Sequence, residues 1–237
     1  YENNKSGAEK KLTISDIARD LGLSKSTISR AISGKGRISK ATTLKVQDYI
    51  RKYNYKPNAI AKGLAQSKTF NIGVVLPAEP DIIEMPFFQG CLMGICEEAA
   101  NQDYDVVVTM MKEDDISFLQ RLVDNHKVDG VILTRSLVND IPAQYLKRTG
   151  LPFAVIGSCE DDEIVQIDND HVTGCCELTS ILLKSGCKSL ALLAGNQSYI
   201  VNRNRYTGFL KAFQDLNISL NNSMVFLDMN SNMLIDR

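Results

Sequence analysis

Histidine is scarce in this 237-residue chain, with His126 and His171 the only two. Neither belongs to a set of ligand-spaced Cys and His residues, so no zinc site is expected. The six cysteines (Cys91, Cys96, Cys159, Cys175, Cys176 and Cys187) contain no C-x-x-C pair. They stand mostly among apolar residues and are expected to be buried free thiols, neither metal ligands nor disulfides. No apolar run approaches the roughly 18 residues that span a bilayer. Tyr1–Leu12 also lacks the charged start, apolar core and small-residue exit of a signal peptide, so a cytoplasmic location is expected. No Gly-rich phosphate loop follows the first strand, where VVLPAEPD stands, which argues against a dinucleotide enzyme. With no nucleophile–base pair either, neither an enzyme nor a cofactor is expected.

What the chain does have is a division of charge. Residues 1–69 carry 15 Lys/Arg against 5 Asp/Glu, a net of +10, and residues 70–237 carry 12 against 23, a net of −11. A basic segment joined to an acidic one suggests a nucleic-acid-binding part attached to a part that is not; the alternative is an excess of solvated lysines.

The basic segment contains LTISDIARDLGLSKSTISR at Leu12–Arg30. Thr13 with Asp16 makes a capping-box pattern, and Ile14, Ile17, Ala18 and Leu21 fall on one helical face. Gly22 breaks the run, and Ser24 caps a second helix over roughly Lys25–Ser33 with Ile28 and Ile32 inward. Ser39 caps a third over roughly Lys40–Tyr53, with Leu44, Val46, Ile50 and Tyr53 available to the core. Two short helices with a Gly turn and a polar second helix have the form of a helix-turn-helix. Residues 1–11 read as a disordered arm. Pro57 stops the third helix, and Asn58–Gln66 is a short helix that is marginal by itself.

From Phe70 the pattern alternates. Strands are expected at Ile72–Leu76, Asp105–Met110, Val131–Leu133, Phe153–Ile156, Val165–Asp168, Leu190–Ala194 and Met224–Leu227. Helices are expected at Pro86–Asn101, Ile116–His126, Pro142–Thr149, His171–Ser185 and Asn202–Leu216. Short apolar strands alternating with helices imply parallel sheets covered on both faces.

Leu12–Arg30, YNYKPNAIAKGLA ending at Ala65, NIGVV at Asn71–Val75, VDGVIL at Val128–Leu133, PFAVIG at Pro152–Gly157, IDND at Ile167–Asp170 and RYTGFLKAF at Arg205–Phe213 resemble, in that order, the LacI/GalR family of bacterial transcription regulators. The resemblance implies an all-α helix-turn-helix headpiece and an α/β periplasmic-binding-protein-like core with parallel sheets. Its implied divisions are a 12–56 DNA-binding domain, a 57–69 hinge helix and linker, a 70–160 N-terminal lobe and a 161–237 partial C-terminal lobe. The family continues past residue 237, so the core is expected to be truncated.

By the same resemblance Lys25 and Ser26 are the principal base-reading pair and Arg30 a further base or phosphate contact. Lys can donate to guanine O6 and N7, and Ser can serve several base edges. Thr13, Ser24, Thr27, Ser29 and Thr42 suit phosphate positioning, although Thr13 and Ser24 can serve as caps alone. Asn58 and Ala61 match the hinge helix in the minor groove. Leu64 matches its base-step wedge; the alternative is a core leucine at the domain junction.

For the effector, Arg205 matches an arginine that holds ligand hydroxyls or a carboxylate, with Asn202 and Arg203 beside it. Phe87 and Phe88 match aromatic positions able to stack on a sugar ring, one of them equally suited to core packing. Asp168 either orients ligand or caps the next helix, and the cap is expected. Gly157-Ser158 lacks the acidic ligand residue that several family members carry.

The implied function is a sequence-specific regulator, usually a repressor. Its partners would be a pseudo-palindromic double-stranded operator, a small-molecule effector (a sugar or sugar phosphate before a purine-like corepressor) and a second copy in a homodimer, with no membrane. The alternative is a sugar-sensing module that does not bind an operator productively because truncation prevents dimerisation.

Overall fold

Thr13 and Asp16 open the first helix by satisfying each other's backbone. Asp16 N–H donates to Thr13 Oγ1 (3.3 Å) and Thr13 N–H to Asp16 Oδ2 (3.1 Å). The structure, a computed structural model, describes residues 12–34, 36–55, 63–64, 66–79, 86–112, 115–187 and 189–229. Expectations for the 1–11 arm, Asn58 and Ala61 lie outside these residues. The chain divides into two units, residues 1–67 and 68–237.

The first unit begins with helices α1 (Ile14–Leu21), α2 (Lys25–Ser33) and α3 (Lys40–Lys52). Ser24 accepts from Thr27 N–H and Ser39 from Thr42 N–H, each at 3.1 Å. Gly22 ends α1 in the left-handed region (φ 65°), where a Cβ is unfavourable. Leu23 N–H then reaches back to Ala18 O at 2.9 Å, turning the chain into α2. Ile17, Ala18, Ile28, Ala31, Val46 and Tyr55 form the core, with Leu23, Ile32 and Ile50 packed against it. Leu44 and Tyr53 do not join that core: they are 56% and 51% exposed. A helix on the outside of so small a bundle buries one narrow stripe, and Val46 with the partly buried Tyr49 and Ile50 occupies it.

The second unit begins with a sheet of β1 (Asn71–Pro77), β2 (Asp105–Met111), β3 (Gly130–Leu133), β4 (Phe153–Ile156) and β5 (Val165–Ile167). Its order is β2-β1-β3-β4-β5 and every neighbouring pair is parallel. Helices α4 (Pro86–Asn101), α5 (Ser117–Asp124) and α6 (Ile141–Thr149) connect the strands. Val75, Val131, Leu133 and Val155 from the sheet pack with Leu119, Leu122, Ala143 and Leu146 from α5 and α6. Because β5 pairs with β4, the first sheet runs to Ile167, past the lobe boundary at 160 that the resemblance implied.

Beyond it lie α7 (His171–Lys184), β6 (Leu192–Leu193), α8 (Ile200–Asp215) and β7 (Val225–Phe226), with β6 and β7 parallel. The two helices touch at Gly208, where a Cβ would run into Val172 O. The cysteines, expected to be buried, are not: Cys96 and Cys187 are exposed and the other four intermediate.

Candidate nucleic-acid interface and ligand crevice

At 100° per residue, positions 25, 26, 29 and 30 of α2 share one face and 28 and 31 the opposite one. The structure follows that division. Ile28 and Ala31 are buried, while Lys25, Ser26, Ser29 and Arg30 are exposed. The first turns of α2 and α3 carry no acidic residue, so the positive ends of both helix dipoles are left uncompensated by carboxylates. Such ends bind anions through free N–H groups. The hydroxyls at these ends are engaged locally. Ser24 Oγ lies 2.8 Å from both Ser26 Oγ and Thr27 Oγ1, and Ser39 Oγ lies 2.8 Å from Thr42 Oγ1. Thr13, Ser24 and Ser39 therefore work as caps in the structure, and Thr27 and Thr42 are half-buried beside theirs.

Behind this face, Tyr49 on α3 donates to Asp20. That hydrogen bond, followed by burial and the Asp20 charge, pushes the Tyr49 phenol up to about 12. Farther along the chain Gly63 and Leu64 are helical, and Leu64 is 84% exposed.

In the second unit, the 2-1-3-4-5 strand order places its switch point between β1 and β3. Ligands of open parallel sheets bind at the carboxyl ends of the strands there. The chain supplies Glu79 just past β1 and Arg135 just past β3. Arg135 Nη1 meets Glu79 Oε2 at 2.9 Å and Tyr199 Oη at 3.2 Å, and Nη2 donates to Met111 O at 3.3 Å. The guanidinium also lies over the Tyr199 ring, 5.3 Å from its centroid. Backbone bonds from Val138 N–H to Ser198 O and from Ile200 N–H to Ser136 O tie the β3 exit to the start of α8.

Farther along the same edge, Asp168 accepts from Ser158 Oγ at 2.6 Å and lies 3.1 Å from His171 Nε2. Asp168 is not the cap of α7. Asp170 is, accepting from Thr173 N–H at 2.9 Å. The expectation failed because both aspartates stand close enough to compete for one helix start, and the chain's exit from β5 carries Asp168 to Ser158. Nearby, burial first, and then the charges of Asp140, Asp161 and Asp168, push the Cys159 thiol up to about 11.

The other expected effector residues are only partly gathered. Phe87 and Phe88 open α4 in an edge-to-face pair with centroids 5.1 Å apart; Phe87 is exposed and Phe88 half-buried, so neither is a core residue. Asn202 gives its amide to Asn196 O at 2.8 Å, and Arg203 and Arg205 are exposed on α8. Sequence reasoning missed Glu79, Arg135 and Tyr199. Their shared signal was position, since Glu79 and Arg135 each follow a parallel strand's carboxyl end. Among the described residues, no helix is long and apolar enough to cross a membrane and no group of His, Cys, Asp and Glu could hold a metal ion.

The model described as periplasmic binding proteins and sugar binding domain of LacI family matches residues 69–231, and that described as bacterial regulatory proteins, lacI family, matches residues 13–58. The chain belongs to the LacI family. Among LacI-family relatives, the HTH-type transcriptional regulator MalR of Streptococcus pneumoniae is 30% identical over 218 residues, 91% of this chain and 66% of the relative. MalR of Staphylococcus xylosus is 34% identical over 207 residues, 86% of this chain and 61% of the relative. The lac repressor dimer bound to operator and the anti-inducer ONPF has the same fold, with a TM-score of 0.72 at 24% identity, over 95% of this chain and 68% of that one. The chain thus spans just under two thirds of the length of these curated LacI-family relatives.

Proposed function

We propose that this LacI-family chain is a sequence-specific, DNA-binding transcription regulator, acting as a repressor, whose affinity for a pseudo-palindromic operator is set by a small carbohydrate effector. One observation carries the DNA-binding half of the reading. The helix that follows the Gly22 turn keeps its apolar side in the core and turns Lys25, Ser26, Ser29 and Arg30 to solvent. In helix-turn-helix proteins that helix lies in the major groove with its N-terminal residues on base edges. Lys25 and Ser26 would read bases, and Arg30 and Ser29 bases or phosphate. The N-termini capped by Thr13, Ser24 and Ser39, with Thr27 and Thr42 beside them, would position the backbone. Asn58, Ala61 and Leu64 would form the minor-groove segment.

The effector half rests on the crevice. Its edge presents a hydroxyl at Ser158 and carboxylates at Glu79 and Asp168, and the guanidinium at the β1–β3 switch point, Arg135, already shares its charge with Glu79. Such an edge suits a neutral polyhydroxyl ligand better than a polyanion. The sugar-binding description of the matched family supports the same class. Phe87 and Phe88 would stack on a sugar face, and Asn202, Arg203 and Arg205 on α8 would approach from the other side. Two copies are needed to place two recognition helices on a palindrome.

The test is selection of bound duplexes from a randomised pool by the purified chain, followed by gel shift with and without a panel of neutral disaccharides. Enrichment of a palindrome, released by one sugar, is the expected result. Binding indifferent to sequence would leave a sensing module without an operator.

A further inference from the structure

At the amino ends of the strands, away from the candidate ligand crevice, one carboxylate gathers the first residues of the second unit. Asp129 Oδ1 accepts from Thr69 N–H and Thr69 Oγ1, both at 2.7 Å, and Oδ2 accepts from Phe70 N–H at 3.0 Å. Thr69 Oγ1 in turn accepts from Asn71 N–H (3.1 Å), and Asp129 N–H returns to Asn71 O (2.8 Å). On the other flank Phe70 O accepts from Asp105 N–H at 2.8 Å, and the Phe70 ring lies 5.6 Å from that of Tyr104. Lys68 Nζ reaches Tyr104 Oη at 3.1 Å. The chain is thus stitched to the amino ends of β2, β1 and β3 at once.

The backbone here is not in a default conformation. Phe70 has φ 56° and Ser67 φ 50°, left-handed values that a bulky residue adopts only where its surroundings fix them. The Asp129 carboxylate takes both N–H groups that flank the Thr69–Phe70 peptide turn. Loss of these bonds would free Phe70 to take the negative φ ordinary for its residue type. Burial pushes the Asp129 carboxyl up, but the hydrogen bonds from Thr69 and Phe70 outweigh it and hold the group below its ordinary range. It is therefore charged, and a full acceptor, at neutral pH.

We propose that Asp129 is a positioning residue for operator binding: it fixes the path of the chain at Thr69–Phe70, where the second unit receives the segment that contains Leu64. The proposal rests on the DNA-binding reading above. It assigns no contact between Asp129 and DNA. The same two strands that carry this strap at their amino ends, β1 and β3, carry Glu79 and Arg135 beyond their carboxyl ends, so strap and crevice are joined by one strand pair.

The experiment uses the full chain with Asp129→Asn and, separately, Thr69→Val. Each is titrated against the selected palindrome and a scrambled duplex, with the active fraction measured by stoichiometric titration and amide exchange followed along β1. Asp129→Asn is expected to raise the palindrome midpoint by roughly tenfold or more, as loss of charge-assisted hydrogen bonds predicts. Thr69→Val should give a smaller rise. Active fraction, protection of β1 and scrambled-duplex affinity should stay as in the parent, while Thr69 and Phe70 amides lose protection. An unchanged midpoint at full active fraction overturns the proposal. So does a fall in active fraction at constant midpoint, which marks a merely structural role. If Asp129→Asn does not fold, Thr69→Val decides by the same criteria. Failure of the DNA-binding reading would show separately, as absence of any sequence preference in the unsubstituted chain, and would overturn this proposal with it.

Discussion

Arg135 and Glu79 meet across the β1–β3 switch point at 2.9 Å, the guanidinium side chain 12% and the carboxylate side chain 33% exposed. Removing Arg135 takes away the cation that Glu79 faces, and removing Glu79 leaves Arg135 only the Tyr199 hydroxyl and Met111 O to donate to. Glu79→Gln and Arg135→Met are each expected to destabilise the second unit by about 1–3 kcal/mol, between the values for surface and buried pairs. The double variant should cost less than the two singles together. Urea unfolding of the four proteins completes the cycle, and strict additivity would show that the two side chains do not interact.

Ser24 and Lys25 are neighbours with separable roles. Ser24→Ala removes the α2 cap and should lower stability by about 1 kcal/mol. Lys25→Ala should leave thermal stability alone and relax preference at one operator base pair by about 1–3 kcal/mol. Melting curves and a panel of single-substitution duplexes distinguish the two. A Lys25→Ala protein with an unchanged preference profile would remove Lys25 from the interface.

Tyr49 gives a pH prediction. Its hydrogen bond to Asp20 favours the protonated phenol and lifts its pKa to about 12. The linked stabilisation is complete below the ordinary tyrosine value of about 10 and is lost as pH rises through the raised one. Tyr145 is pushed up to about 12 too, by burial and then by its bond to Asp124. Burial pushes the Tyr55 phenol up as well, so the phenolate absorbance titration of Asp20→Asn should show one fewer late tyrosine than that of the parent. No change between the two curves would mean that Tyr49 and Asp20 are not bonded in solution.

Gly208→Ala should disrupt the packing of α7 on α8. Its methyl would run into Val172 O and stand 2.9 Å from Cys175 Cβ, backbone and a fixed carbon that cannot step aside. Overpacking of this kind costs about 1–3 kcal/mol. A drop in melting temperature with the first unit's helical signal retained is expected; a neutral variant would show that the two helices can separate freely.

What could be read in advance was what depends on near neighbours. Thr13, Ser24 and Ser39 cap helices because cap chemistry acts over three residues, and the Val/Ile runs of β1 and β3 announce strands buried on both faces. What escaped depends on distance along the chain. Glu79, Arg135 and Tyr199 are brought together only by the strand order and by the tie between the β3 exit and α8. Leu44 looked like core because it is apolar on an amphipathic helix, but α3 buries a narrower stripe than its composition offers. The competition between Asp168 and Asp170 for the α7 cap was settled by Ser158, ten residues back on another loop.

The central claim is that the exposed face of α2 reads sequence, and equilibrium titration of the full chain against its selected palindrome and a scrambled duplex, across a series of salt concentrations, tests it most directly. The expected result is a preference of at least about a thousandfold for the palindrome, which persists as salt rises while both affinities fall, and which shrinks in Lys25→Ala and Ser26→Ala. Equal affinity for the two duplexes at every salt concentration would contradict it.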